Sequence, residues 1–145
     1  MLSLAEQTKT LGLKLGLYNH GGWGGEPVNL VAVCQHLRKQ GHDYVGIVYN
    51  FHHGHGHVED FAESLAAMKP YLICLNLNGM SGEDQKFQKI LPIGKGRNEA
   101  AMMKTILDSG YQGPIGILGH VSTRDVEVVL KENLVGFYKL VGKLR

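Results

Sequence analysis

Tyr44 to Leu77 reads YVGIVYNFHHGHGHVEDFAESLAAMKPYLICLNL, and this stretch decides the fold. Tyr44 to Tyr49 is a near-continuous apolar run, the signature of a strand covered on both faces. Asn50 to His57 is polar, glycine-containing and dense in histidine. Val58 to Met68 then places Phe61, Leu65 and Met68 on one helical face. Lys69-Pro70 stops that helix, because the residue before a proline avoids the helical region. Tyr71 to Leu77 is a second apolar strand. Strand, loop, helix and strand in this order predict a βαβ unit with a right-handed crossover.

The unit repeats outward from this centre. Upstream, Leu4 to Leu11 reads as a helix stopped by Gly12, and Leu13 to Tyr18 as a strand. Asn19 to Gly25 (NHGGWGG) is a glycine-rich loop, and Pro27 opens a helix that ends at Gly41. Downstream, Asn78 to Lys89 is a looser segment, Ile90 to Ile93 a short strand, and Asn98 the cap of a helix running through Ser109. Ile115 to Leu118 reads as a fifth strand. Ser122 to Asp125 resembles a capping box before a last helix to about Gly142. Five strands alternating with amphipathic helices predict one α/β domain over residues 1–145, with ligands beyond the carboxyl ends of the strands. Periodicity alone leaves open sheet and closed barrel as alternatives.

Composition narrows the function. The chain has 145 residues, 43% apolar and 19% charged, with a net charge of +2 when histidine is neutral. So small and dispersed a charge predicts no nucleic-acid or anionic-membrane partner. Lys139, Lys143 and Arg145 read as a solvated last turn that complements the helix dipole. No stretch approaches the roughly 20 apolar residues of a membrane span. Cys34 and Cys74 fall in apolar runs without zinc-site spacing and read as reduced core residues. These features predict a cytoplasmic setting.

The loops carry a resemblance. LGLYNHGGWGGEP resembles the fourth strand and following loop of the xylose-isomerase-like (β/α)8 barrels, the sugar phosphate isomerase/epimerase and endonuclease IV superfamily. VGIVYNFHHGHGH resembles their fifth strand and ICLNLNGM their sixth. ILPIGKGRNE resembles the P-x-G-x-G segment at strand seven, and GYQGPIGILGH strand eight. The resemblance implies a partial TIM barrel of about five βα units, the C-terminal part of a barrel of about 250 residues. Two open strand edges would follow, which predicts a homo-oligomer in which a second chain covers them.

The family's metal site takes Glu from strand four, Asp from strand five, His from strand six and Glu from strand eight. At those positions this sequence has Tyr18, Asn50, Asn76 and Leu118 or Gly119, while His53 matches the family's loop histidine. Neutral amides bind magnesium or manganese poorly, because those ions want anionic oxygen. Two replacements stay open. One is a divalent metal such as zinc on His53, His55 and His57, which share a face if the loop is extended. The other is a metal-free polar pocket. In it Asn19, Asn50, Asn76 and Asn78 would bind sugar hydroxyls, Tyr18 and Trp23 would stack on the ring, and His20, His53 or His120 would move protons. The histidine loop also reads as plain solvated loop, Trp23 as a loop anchor, and Asn19, Asn50 and Asn76 as partners of loop backbone. Of the nearby carboxylates, Glu26 reads as a helix cap, Glu59, Asp60 and Glu63 as first-turn charges, and Asp84 belongs to the looser segment.

The resemblance therefore implies a sugar, sugar-phosphate or keto-sugar isomerase or epimerase working by proton transfer next to a carbonyl, with a small carbohydrate as ligand. The alternatives are a non-catalytic carbohydrate-binding barrel relative and a partial chain without activity of its own. Endonuclease activity is disfavoured by the missing carboxylates and the absence of a basic groove.

Overall fold

The computed structural model describes residues 2–82 and 89–144; Asp84 and Arg145 lie outside them. The elements run α1 (Leu2–Thr10), β1 (Leu15–Tyr18), α2 (Pro27–Lys39), β2 (Val45–Asn50), α3 (Phe61–Met68), β3 (Leu72–Leu77), α4 (Glu99–Asp108), β4 (Ile115–Ile117) and α5 (Val126–Leu144). All strand pairs are parallel, in the order β1-β2-β3-β4. Consecutive order with no reversal is how a barrel wall is built, whereas a doubly wound sheet reverses its order at a switch point. The fold is thus α/β, a four-stranded piece of a barrel.

Register assigns each side chain to a face. Leu15 pairs with Val45, Leu17 with Ile47, Tyr49 with Leu75, and Leu75 with Ile115. These face the helices and pack with Leu30, Cys34, Phe61, Leu65, Met68, Met102, Met103 and Ile106. In α2 and α3 the buried residues recur at i, i+4 and i+7, as an amphipathic helix requires. The opposite face carries Gly16, Tyr18, Gly46, Val48, Asn50, Cys74, Asn76 and Gly116. That face would line the barrel, so the sheet has helices on one side only, where the apolar runs suggest cover on both. Cys34 is buried and Cys74 half-buried, both as free thiols. Among the described residues no helix is long and apolar enough to cross a membrane.

One expected strand does not form. Ile90 to Ile93 stays out of the sheet, and β4 pairs directly with β3, so the described residues hold four strands and not five. Only Leu91 makes a bridge, antiparallel, to Gly79. The reason lies in where the backbone groups go. Pro92 has no N–H to give a ladder. The Ile93 N–H donates to Asn133 Oδ1 at 3.0 Å. Gly94 and Gly96 N–H donate to Glu99 Oε1 at 3.1 and 2.7 Å. The P-x-G-x-G segment is therefore part of the long loop after β3, pinned by side chains from α4 and α5. Gly136, within α5, permits the contact, since a Cβ there would fall 1.8 Å from the Ile93 carbonyl oxygen.

Two expected caps also differ. Asn98 makes no capping bond and donates from Nδ2 to the Ser81 carbonyl at 2.9 Å. Asp125, and not Ser122, caps α5, accepting from the N–H groups of Glu127 and Val128 at 2.9 and 3.3 Å.

Candidate active site at the strand ends

The carboxyl ends of β1 and β2 are locked together by paired asparagines. Asn19 Oδ1 accepts from the Asn50 N–H at 2.7 Å, and Asn19 Nδ2 donates to the Asn50 carbonyl at 3.0 Å. Both residues are 1% exposed. Asn50 Oδ1 accepts from the His52 N–H at 2.9 Å, which shapes the short 3-10 turn Phe51–His53. Asn50 Nδ2 donates to Tyr18 Oη at 2.6 Å. Asn19 and Asn50 thus spend their amides on backbone and on Tyr18. Asn76 stands beside Asn50 in register, half-buried on the barrel-lining face. Asn78 is buried, its Nδ2 donating to the carbonyls of Gly79 and Lys89.

Above this lock the rings form a row. His20 and His53 centroids are 4.7 Å apart, Tyr18 meets His53 edge-on at 5.6 Å, and His52 meets His53 at 4.4 Å. Of the expected proton-moving set, the structure brings His20 and His53 together. His120, in the loop after β4, instead shares a shallow depression with His52, Lys89, Ser122 and Thr123. Burial, then the charge of neighbouring His52, His20 and Lys89, holds the His53 imidazole below its ordinary pKa. Burial, then His55, Lys89 and His120, does the same to His52, against an opposing hydrogen bond to the Lys89 backbone.

The remaining histidines are committed elsewhere. His55 Nδ1 contacts the His52 carbonyl at 2.9 Å and its Nε2 the Ser81 hydroxyl at 3.1 Å. His57 bridges two carboxylates, Nε2 to Glu26 at 2.9 Å and Nδ1 to Asp60 at 3.1 Å. Burial opposes charge on His57, but the hydrogen bonds and charges of Asp60 and Glu26 outweigh it and raise its pKa. The His57 hydrogen bond in turn lowers that of Asp60. Glu26 therefore makes no capping bond, where the sequence suggests one, and with Asp60, read as a first-turn charge, it clamps the first two strand-end loops through one imidazole. A zinc-like ion on His53, His55 and His57 would need these rings to leave their partners. Among the described residues no group of three His, Cys, Asp or Glu could hold a metal ion. The donors at the family's ligand positions, Tyr18, Asn50 and Asn76, do not fit a hard divalent cation either.

Trp23 stands apart from the ring row. It is 75% exposed, at the free edge of β1, beside Leu17, Tyr18, Leu30 and Val33. Two contributors escape a reading of the sequence. Glu99 looks like a first-turn charge but is 3% exposed and holds the loop after β3. Lys89 has no local pattern, and only the packing of the loop after β2 against the loop after β3 brings it beside His52.

The sequence matches the family model of the xylose isomerase-like TIM barrels over residues 1–133. The chain belongs to this family. Solved structures agree on the fold. The 3-keto-D-glucoside 4-epimerase of E. coli shares 15% identity and a TM-score of 0.66, over 94% of this chain and 50% of that one. A D-psicose 3-epimerase from Clostridium cellulolyticum, solved with D-tagatose, gives 14% and 0.65, over 99% and 53%. A xylose isomerase-like TIM barrel protein from Mycobacterium smegmatis, in complex with magnesium, gives 21% and 0.65, over 99% and 49%. This chain spans about half the length of these xylose isomerase-like relatives. A search of curated protein sequences finds no match.

Proposed function

We propose that the chain forms the strand-end face of a sugar isomerase or epimerase, acting on a small keto-sugar by proton transfer at the carbon next to the carbonyl. The observation that carries this reading is the His20–His53 pair, 4.7 Å between centroids, at the open ends of β1 and β2. Its lowered pKa keeps His53 neutral at neutral pH, so it can accept a proton. His20 stands near enough to return one. Tyr18, oriented by Asn50, and Asn76 present a hydroxyl and an amide on the same face. No step runs through a metal. The epimerase neighbours support a sugar as substrate, and a cytoplasmic setting suits free Cys34 and Cys74.

The protein works as a homo-oligomer in this reading. The free edge of β1 carries exposed Tyr18 and Trp23, with exposed Leu2, Leu4, Leu11 and Leu13 in and after α1, and α5 exposes Val126, Val128, Val135 and Tyr138. Unpaired parallel edges flanked by apolar side chains call for a partner. Light scattering on the purified chain reads this directly, and a monomer counts against it.

The chemistry is tested by deuterium incorporation from D2O into D-tagatose or D-psicose, followed by NMR. Exchange is expected in the wild type and to fall by about 10²–10⁴ in His53→Asn. Exchange unchanged in both His53→Asn and His20→Asn refutes the assignment.

A further inference from the structure

The hydrogen bonds around Asn50 fix the direction of a proton. Asn50 Oδ1 accepts from the His52 N–H at 2.9 Å, so the other end of the amide, Nδ2, faces Tyr18. A flipped amide would set its hydrogens against the His52 N–H. Nδ2 can only donate, and it donates to Tyr18 Oη at 2.6 Å. The Tyr18 hydroxyl is the acceptor in this bond, so its own proton points elsewhere. Among the described residues no acceptor takes that proton, and Tyr18 is 40% exposed, within reach of a ligand. Asn76 stands on the other side of Asn50, in register with it on β3. Its Oδ1 accepts from Cys74 Sγ at 3.6 Å and lies over Gly116, where a Cβ would come within 2.4 Å of it. Its Nδ2 has no partner among the described residues, and the side chain is half-buried. Tyr18 and Asn76 thus flank Asn50 as two donors on the barrel-lining face. They hold two of the positions where the resemblance implies ligands of a metal site, and they offer hydrogens where ligands would offer lone pairs.

We infer that the Tyr18 hydroxyl and the Asn76 amide are a donor pair that holds the carbonyl oxygen of the keto-sugar and the enolate oxygen it becomes. The inference rests on the proposed proton transfer and adds two catalytic residues to it. His53 takes the proton from the carbon next to the carbonyl. The C–H pair becomes the C=C bond of the enolate, and the carbonyl π pair moves onto oxygen, where the two donors meet the new charge. Return of a proton to that carbon, from His20 or from His53, reforms the carbonyl, and the imidazoles recover their states by exchange with water. The Tyr18 ring meets His53 edge-on, centroids 5.6 Å apart, so hydroxyl and imidazole can touch neighbouring atoms of one small ligand. The pair is also set in advance. Asn50 is 1% exposed and tied by its backbone to Asn19, so the hydroxyl is aimed before a ligand arrives. Donation from Asn50 polarises the Tyr18 O–H and makes it a stronger donor in turn. Fixed donors of this kind act where charge develops and lower the barrier more than they tighten binding.

The test reads the carbonyl itself. The probe is D-erythrulose, a ketose too short to close a ring, labelled with 13C at C2. It is titrated into the full chain carrying His53→Asn, which removes the base and leaves the bound ketone intact. A saturable downfield displacement of the C2 resonance is expected, and its loss when Tyr18→Phe or Asn76→Ala is added. Tyr18→Phe strips Asn50 Nδ2 of its acceptor, so Asn76→Ala, which breaks no bond of the asparagine lock, is the independent arm. Unchanged thermal melting confirms that each variant is folded. With His53 in place, deuterium exchange from D2O at C3 is expected to fall in kcat by about 10²–10³ in either variant, with KM held within about threefold. A C2 resonance that never leaves its free position overturns the donor pair, as does a displacement that both variants keep. Exchange absent from the wild type, beside a C2 displacement that needs Tyr18 and Asn76, supports the donor pair and strikes the proton-transfer reading alone.

Discussion

Replacing Glu99 by glutamine tests how the loop after β3 is held over the site. Glu99 is 3% exposed at the start of α4. Its Oε2 accepts from the Met80 N–H at 2.9 Å, and its Oε1 from Gly94 and Gly96 at 3.1 and 2.7 Å. Three backbone donors thus depend on one carboxylate, which also stands favourably at the positive end of the helix. Glutamine keeps the shape but has one oxygen. In its better orientation it still accepts from Gly94 and Gly96 and turns its amide hydrogens against the Met80 N–H. That loses one charge-assisted bond, about 1.5–3 kcal/mol, and leaves a buried donor unsatisfied, about 1–3 kcal/mol. The two overlap, so the expected cost is about 2–4 kcal/mol. For a chain of this size that corresponds to a fall in Tm of roughly 5–15 °C. Urea unfolding followed by circular dichroism gives the free energy, and amide exchange reports Met80, Gly94 and Gly96 separately. A change below about 0.5 kcal/mol, with Met80 protection intact, would refute the claim that this carboxylate holds the loop.

Two further perturbations address the strand-end loops and the sheet. His57→Gln removes a charge held between Glu26 and Asp60. The His57 pKa is raised in the folded state, so its contribution is fully present below its ordinary value of 6.5 and is lost as pH rises through the raised one. The Asp60 pKa is lowered, so its share is lost as pH falls through the carboxylate range. Both carboxylates are nearly half exposed, so screening limits the cost to about 0.5–1 kcal/mol at pH 6, with a smaller difference at pH 8. Paired denaturation curves at the two pH values check this, and an equal difference at both would count against the clamp. Gly46→Ala adds a methyl group on the barrel-lining face of β2, 2.4 Å from the Tyr71 carbonyl oxygen and 2.7 Å from Ile73 Cγ1. One of these atoms is backbone and cannot swing away, so a loss of about 1–3 kcal/mol is expected in urea unfolding.

The sequence exposes those parts of the fold that depend on neighbours along the chain. The βαβ unit from Tyr44 to Leu77 reads correctly, because apolar spacing and Pro70 act locally. Ile90 to Ile93 misleads for the same reason. As an apolar run it reads as a strand, yet its hydrogen-bond partners are Asn133, 40 residues on, and Gly79. A strand is defined by its ladder, and no local pattern reports that Asn133 and Glu99 have taken the donors. The site divides along the same line. The position of His20, His53, Tyr18, Asn19 and Asn50 at the strand ends is legible, because apolar runs and glycine loops mark where strands stop. Which asparagines stay free is not legible, because Asn19 and Asn50 choose each other across 31 residues. Nor are the opposite fates of adjacent histidines. Burial among other rings lowers the His53 pKa, while two carboxylates raise that of His57, four residues later. Both sit in one polar loop, and only the packing of β1, β2 and the loop after β3 separates them. The electrostatic sign of a strand-end position is therefore a tertiary property. Where the resemblance implies carboxylates, this chain's packing assembles paired amides and a row of imidazoles.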